Sequence, residues 1–246
     1  MAKPLLERQV SLVEHMTSSA AIFGRAGDPD PDPDLEGIDR MLLRVEARFS
    51  YAKRMEKITA VLPRTFELLG SHEAVLVRAF VEECPPTTIR RLENARQFHR
   101  FLLSRWRREA PDPPYIRDVA ACEIAYAEAD ADLEDLELER ITSAECARRR
   151  SIRRCRNVIL LRSAYDLRPI FEAGSGKVAP VKRETPLVIA VPPGANAPQV
   201  FEVMPAVFDL LASLDDWADP SGLDAELDFA KLLADLTAHG LVEVRQ

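Results

Sequence analysis

Between Leu35 and Glu109, apolar residues recur at three- and four-residue steps, the spacing that lines side chains along one face of an α-helix. Met41, Leu42, Val45, Phe49 and Ala52 form the first such stripe, and Pro63 and Gly70 punctuate the chain beyond it. Ser71-His72-Glu73 opens a short helix through Val81, which Pro85-Pro86 stops. Thr87 or Thr88 then caps a long helix in which Ile89, Leu92, Ala95, His99, Leu102 and Trp106 share a face. His99 sits among apolar neighbours, as a hydrogen-bonded core histidine does. Pro111-Asp112-Pro113-Pro114 ends this helix and Tyr115 begins another.

On the N-terminal side, Leu5 to Phe23 reads as one helix with Leu5, Leu6, Val10, Val13 and Met16 together. The alternating Asp-Pro run to Asp34 cannot continue it. Each proline lacks a donor and pushes its neighbour towards extended geometry, so the run reads as a stiff acidic linker. As a calcium loop it would lack the central glycine and closing glutamate.

No apolar run reaches membrane-span length, and the start turns charged before any signal-like stretch develops, so a cytoplasmic protein is expected. Cys84, Cys122, Cys146 and Cys155 show no CxxC pair and are expected to be reduced thiols. The four histidines are scattered, so no metal site is expected in this chain. Gly174-Ser175-Gly176-Lys177 lacks the earlier glycine of a phosphate loop, and no nucleophile elbow or His–carboxylate cluster occurs. The expectation is no catalytic residue and no cofactor.

The second half changes character. An acidic stretch precedes the basic run Arg148-Arg149-Arg150-Ser151-Ile152-Arg153-Arg154-Cys155-Arg156, and Asn157 to Arg162 then reads as a strand. Asp166 to Glu172 suggests a second extended piece. Pro186 to Val191 is a strand closed by Pro192-Pro193-Gly194, with Gln199 to Val203 a short one. Helices are expected over Met204–Leu214 and Asp224–His239, the latter ended by Gly240, before a last strand at Leu241–Val244. The fold class expected is mainly α with a small α+β C-terminal module: an N-terminal helix (1–27), the linker (28–34), a helical domain (35–147) and a winged-helix-like domain (148–246).

The net charge of −7 is unevenly spread. Bases crowd Arg90 to Arg108, whereas beyond Pro186 only Lys231 and Arg245 are basic. A winged-helix-like tail suggests a DNA-binding regulator as the alternative function. Its candidate recognition helix, however, carries Asp228 and Asp235 and no Arg, Asn or Gln to read base edges.

Two stretches carry a family resemblance. Pro113-Pro114-Tyr115-Ile116-Arg117-Asp118-Val119-Ala120-Ala121-Cys122-Glu123 is similar to a signature of the helical partner subunits of multinuclear non-haem iron enzymes. Those enzymes rework cysteines in ribosomally made peptides, as in the methanobactin and 3-thiaglutamate pathways. The tail from Val207 to Val242 resembles the winged-helix-like element that grips precursor leader peptides, though little sequence separates Leu214 from Asp224 for a middle helix. The resemblance implies a non-catalytic heterodimer partner, with iron in the enzyme rather than here, that captures a precursor peptide.

Such capture works by strand addition to an open sheet edge. Val158, Ile159 and Leu160, with Leu187, Val188 and Ile189, are the strand residues expected to offer that edge. Arg153, Arg154 and Arg156 suit an acidic leader, and Arg148, Arg149 and Arg150 an acidic partner surface. The same run also fits a solvated linker paired with the acidic stretch before it.

Overall fold

A computed structural model describes residues 4–24, 35, 37–139, 151–172, 179–219 and 229–245, with the main chain alone at 132–139, 172 and 230. The described residues are mainly helical with five strands, and the chain divides between Ile116 and Arg117 into two units. The Asp-Pro run, the glycine turn at 174–177 and Arg148 to Arg150 lie outside the described residues. No described helix is long and apolar enough to cross a membrane.

In the first unit, Ser18 breaks the expected N-terminal helix into α1 (Leu5–Thr17) and α2 (Ser19–Phe23). Its main chain is extended and its hydroxyl accepts the Ala21 N–H at 3.1 Å, so it caps the second piece. The unit continues with α3 (Arg40–Val61), α4 (Pro63–Leu69), a 3-10 turn (Gly70–His72), α5 (Glu73–Glu83) and α6 (Arg91–Trp106). Aromatic packing joins three of these helices: Phe98 stacks on Phe66 at 5.2 Å and meets Phe80 edge-on at 4.9 Å. Ile58, Leu62 and Leu102 are wholly buried.

The apolar stripes read on the first two helical segments face largely outward. Leu5, Leu6, Val10 and Val13 are exposed on α1, and so are Met41, Leu42, Val45 and Phe49 on α3. The face of α3 that packs inward carries Leu43, Ala47, Ile58 and Val61 instead. Ile89 is also corrected from core to surface, at 84% exposure, because α6 begins only after it.

Between α5 and α6 the chain runs irregularly through 84–90, and side chains hold its carbonyls. Arg54 donates to Cys84 O (2.9 Å), Gln97 to Pro85 O (2.9 Å) and Lys57 to Ile89 O (2.8 Å). Asn94, 2% exposed, donates to Thr88 O and Arg90 O while its Oδ1 accepts from Arg54 Nε. Each such bond satisfies a carbonyl that the irregular main chain leaves unpaired and contributes about 0.5–1.5 kcal/mol.

In the second unit, α7 (Ile116–Glu139) comes first. The basic run beyond it is not only a solvated linker, since Ser151–Arg154 forms strand β1. Next come β2 (Ile159–Tyr165), α8 (Arg168–Glu172), β3 (Lys182–Ala190), β4 (Gln199–Glu202), α9 (Pro205–Ser213), α10 (Phe229–Ala238) and β5 (Val242–Arg245). The extended piece expected after Asp166 is thus the short helix α8. Strands β2, β3 and β4 form an antiparallel sheet with β3 central, and β1 pairs antiparallel with β5. One core serves both sheets: Ile152, Val188, Ala190, Val207, Leu211 and Val242 belong to it. Gly240, at φ +69°, turns the chain from α10 into β5, with Leu241 N–H donating to Leu236 O at 2.8 Å.

Candidate functional site

The residues that pair within the three-stranded sheet decide which of its main-chain groups face outward. Val203 N–H donates to Pro186 O, so the alternation of an antiparallel ladder turns Val188 and Ala190 towards β4 and Leu187 and Ile189 towards β2. On the outer strands this leaves the main chain of Leu160 and Arg162 pointing away from the sheet on one side, and that of Val200 and Glu202 on the other. The Ala164 N–H, next in the β2 alternation, does point outward, and Asp118 of α7 takes it at 2.7 Å. Asp118 also accepts from Ser163 Oγ at 3.1 Å, so the far end of β2's outer edge is already occupied.

The outward main chain of Leu160 and Arg162 meets no partner among the described residues, and the β4 edge is open along its length. Among the described residues, nothing bonds the outward main chain of Val200 or Glu202. On the face that packs on α9, Phe201 stands edge-on to His239 at the end of α10, 6.3 Å between ring centres. Phe229, Leu232 and Leu233 of α10 are only partly buried against the core, as are Phe201 and Val203. The open strand and α10 thus contribute partly buried apolar residues to one core, and Phe201 meets His239 just past the helix end. Ion pairs fix the β4 side: Glu202 is held by Arg183 (2.7 Å) and Arg168 (2.8 Å), which both also hold Asp166. Hydrogen bonds from Arg168 and then Arg183 keep the Asp166 carboxyl far below the usual carboxylate range, and Arg183 lowers that of Glu202.

These positions correct the expected edge. Leu187, Val188 and Ile189 are fully buried on the central strand, with both sides of their main chain committed to β2 and β4. Burial on both faces is what makes that run continuously apolar. Val158, 2% exposed, is core. Ile159 faces β3, and only Leu160 of that set turns its main chain outward.

The arginines are drawn inward as well. Arg153 grips Glu243 through Nε (3.0 Å) and Nη2 (2.7 Å) and lies over the Trp217 ring at 4.7 Å, with Arg245 also over that ring at 5.0 Å. Arg154 donates to Leu211 O at 3.1 Å and pairs with Asp215. Arg156 is exposed at the turn after β1. Ala218 bridges to Ile152 on the side of β1 opposite β5, which places Trp217 beside Arg153. No local signal marks Trp217 or Asp118 as neighbours of these strands, since both contacts span long sequence separations. Val200 and Glu202 are legible as strand residues but not as an edge.

Among the described residues, no three His, Cys, Asp or Glu side chains come together in a way that holds a metal ion. Cys122 is buried, and burial followed by the Glu123 charge pushes its thiol up to about 12. No protein-family model matches the chain, and no curated protein is found to match it.

Proposed function

We propose that this chain is a non-catalytic partner subunit that binds a ribosomally made precursor peptide and presents its cysteine to a multinuclear iron enzyme in the cytoplasm. The observation that carries the reading is the outward main chain of Val200 and Glu202, on a strand whose Phe201 shares a core with the partly buried apolar residues of α10. A leader peptide adds there as a further strand, main chain to main chain, with apolar side chains lodging against Phe229, Leu232 and Leu233. The second unit is read as a winged-helix-like module, with β2–β3–β4 as its sheet and α9 and α10 behind it. The resemblance of 113–125 and of the C-terminal stretch to such partner subunits supports the same assignment.

In this arrangement the chain moves no proton and forms no bond. It holds the peptide so that the reacting cysteine stays at high local concentration next to the enzyme's iron. Affinity capture of the full chain from its native host, with iron and short peptides measured in the eluate, tests the reading. Co-purification of an iron protein and a cysteine-containing peptide is the expected result. Recovery of the chain alone, or bound to duplex DNA that survives physiological salt, overturns it.

A further inference from the structure

A groove of about 310 Å3 opens in the helical unit, between α1–α2, α3 and the 84–90 connection. Phe49, Val81 and Ile89 give it apolar walls, and Lys53, Arg54 and Lys57 line it from α3. Lys57 stands three residues from Arg54 and four from Lys53, so it neighbours both on the surface of the helix. No aspartate or glutamate is among the lining residues.

Arg54 is the central group. Its guanidinium lies over the Phe80 ring at 4.4 Å, and its Nε and Nη2 donate to Asn94, Cys84 O and Gln97, all neutral acceptors. Among the described residues it meets no carboxylate, and Nη1, with its two N–H groups, makes no hydrogen bond. Partial burial pulls the pKa of this arginine down to about 10, and the neighbouring Cys84 offsets only part of that.

We propose that this groove binds a medium-chain alkyl carboxylate, its anionic head on Arg54 Nη1 and its chain along Phe49, Val81 and Ile89. The proposal stands independently of the peptide-binding reading. A single negative charge matches the one guanidinium without a carboxylate, because Lys53 already pairs with Glu56 (2.9 Å) and Lys57 donates to Ile89 O, whereas a dianion loses more hydration on entry. An extended peptide is the poorer fit, because it binds through main-chain ladders. Here helical walls spend their own main chain internally, and side chains occupy the carbonyls of residues 84, 85, 88, 89 and 90. The volume lies at the small end for ligand pockets, roughly 300–1,000 Å3, and suits one acyl chain.

Calorimetric titration of the purified full chain with octanoate tests the proposal, with 1-octanol and propionate as probes lacking the head or the chain. Saturable binding of about one octanoate per chain is expected, with both control probes at least about tenfold weaker. Ile89 is largely exposed, so Ile89→Asp keeps the fold while placing a like charge in the groove, and it should weaken octanoate about tenfold or more. Phe49→Asp, also at an exposed position, should do the same. Absence of saturable octanoate binding overturns the proposal, as does unchanged affinity in both variants. Displacement of octanoate by the tripeptide acetyl-Leu-Glu-Leu-amide at lower concentration than octanoate itself requires also overturns it, in favour of an acidic protein segment.

Discussion

Asp118, near the start of α7, accepts the main-chain N–H of Ala164 at 2.7 Å, and thereby ends the outer edge of β2 forty-six residues further along the chain. Because the same carboxylate takes the Ser163 hydroxyl, and Ser163 is 1% exposed, the contact fixes the irregularity at which β2 shifts register against β3. Asp118→Ala leaves that exposed N–H to water but removes two hydrogen bonds to a carboxylate, and is expected to cost about 0.5–1.5 kcal/mol. Chemical denaturation of the two proteins side by side checks this, and a shift in midpoint smaller than the experimental scatter refutes it.

Arg153 and Arg154, replaced by alanine, are expected to destabilise the second unit by about 1–2 kcal/mol each, since they hold Glu243, Leu211 O and Asp215. Arginines in a charge run would ordinarily be expendable, and here they are not. Loss of the Arg153 guanidinium from the Trp217 face should also change tryptophan emission. Thermal unfolding with fluorescence detection reads both effects together.

Cys122 is expected to resist alkylation in the folded chain at pH 8, because burial keeps its thiol protonated and out of reach. Peptide mapping after iodoacetamide treatment should find it unmodified until denaturant is added. Modification at the rate of a free thiol would show that α7 opens readily.

Acid should loosen the second unit through Asp166 and Glu202. Both carboxyls are depressed in the folded chain, by Arg168 and Arg183 and by Arg183 respectively. Their stabilisation is therefore complete above the unfolded-state values, near about 4, and is lost as pH falls through the lower folded values. Asp166→Asn should reduce stability at neutral pH and flatten its decline below about pH 4. Equal acid sensitivity in the variant would remove Asp166 from the account.

Local contacts are the ones a sequence makes legible. The strand at β3 and the helices α6, α9 and α10 are readable, because continuous apolar runs and helical spacing are local signals. Whether Leu187 to Ile189 lie at an edge or at the centre is not, because β2 and β4 supply their pairing from distant sequence. On α3 two apolar faces compete, and the choice of Leu43 and Ala47 over Met41 and Val45 depends on what packs against them. β1 is hidden because Ile152 is its one apolar residue, and it becomes a strand between β5 and Ala218. Arg54 looks like any helix-surface arginine until the fold brings the Cys84 carbonyl and the Asn94 and Gln97 side chains to it.

Proline tests the proposed capture of a peptide by strand addition at β4, where the main chain points outward. The N–H of Val200 has no role in the β3–β4 ladder, so Val200→Pro removes an outward donor and leaves the internal pairing intact. A proline at Val188 or Ile159, by contrast, breaks the sheet itself, since both N–H groups point into ladders. The decisive measurement is a parallel affinity capture of the full chain and its Val200→Pro variant from the native host, with iron protein and cysteine-containing peptide quantified in each eluate. The account predicts both partners with the unmodified chain, and the variant keeping the iron protein while losing most of the peptide. Equal peptide recovery on the two, or none on either, contradicts it.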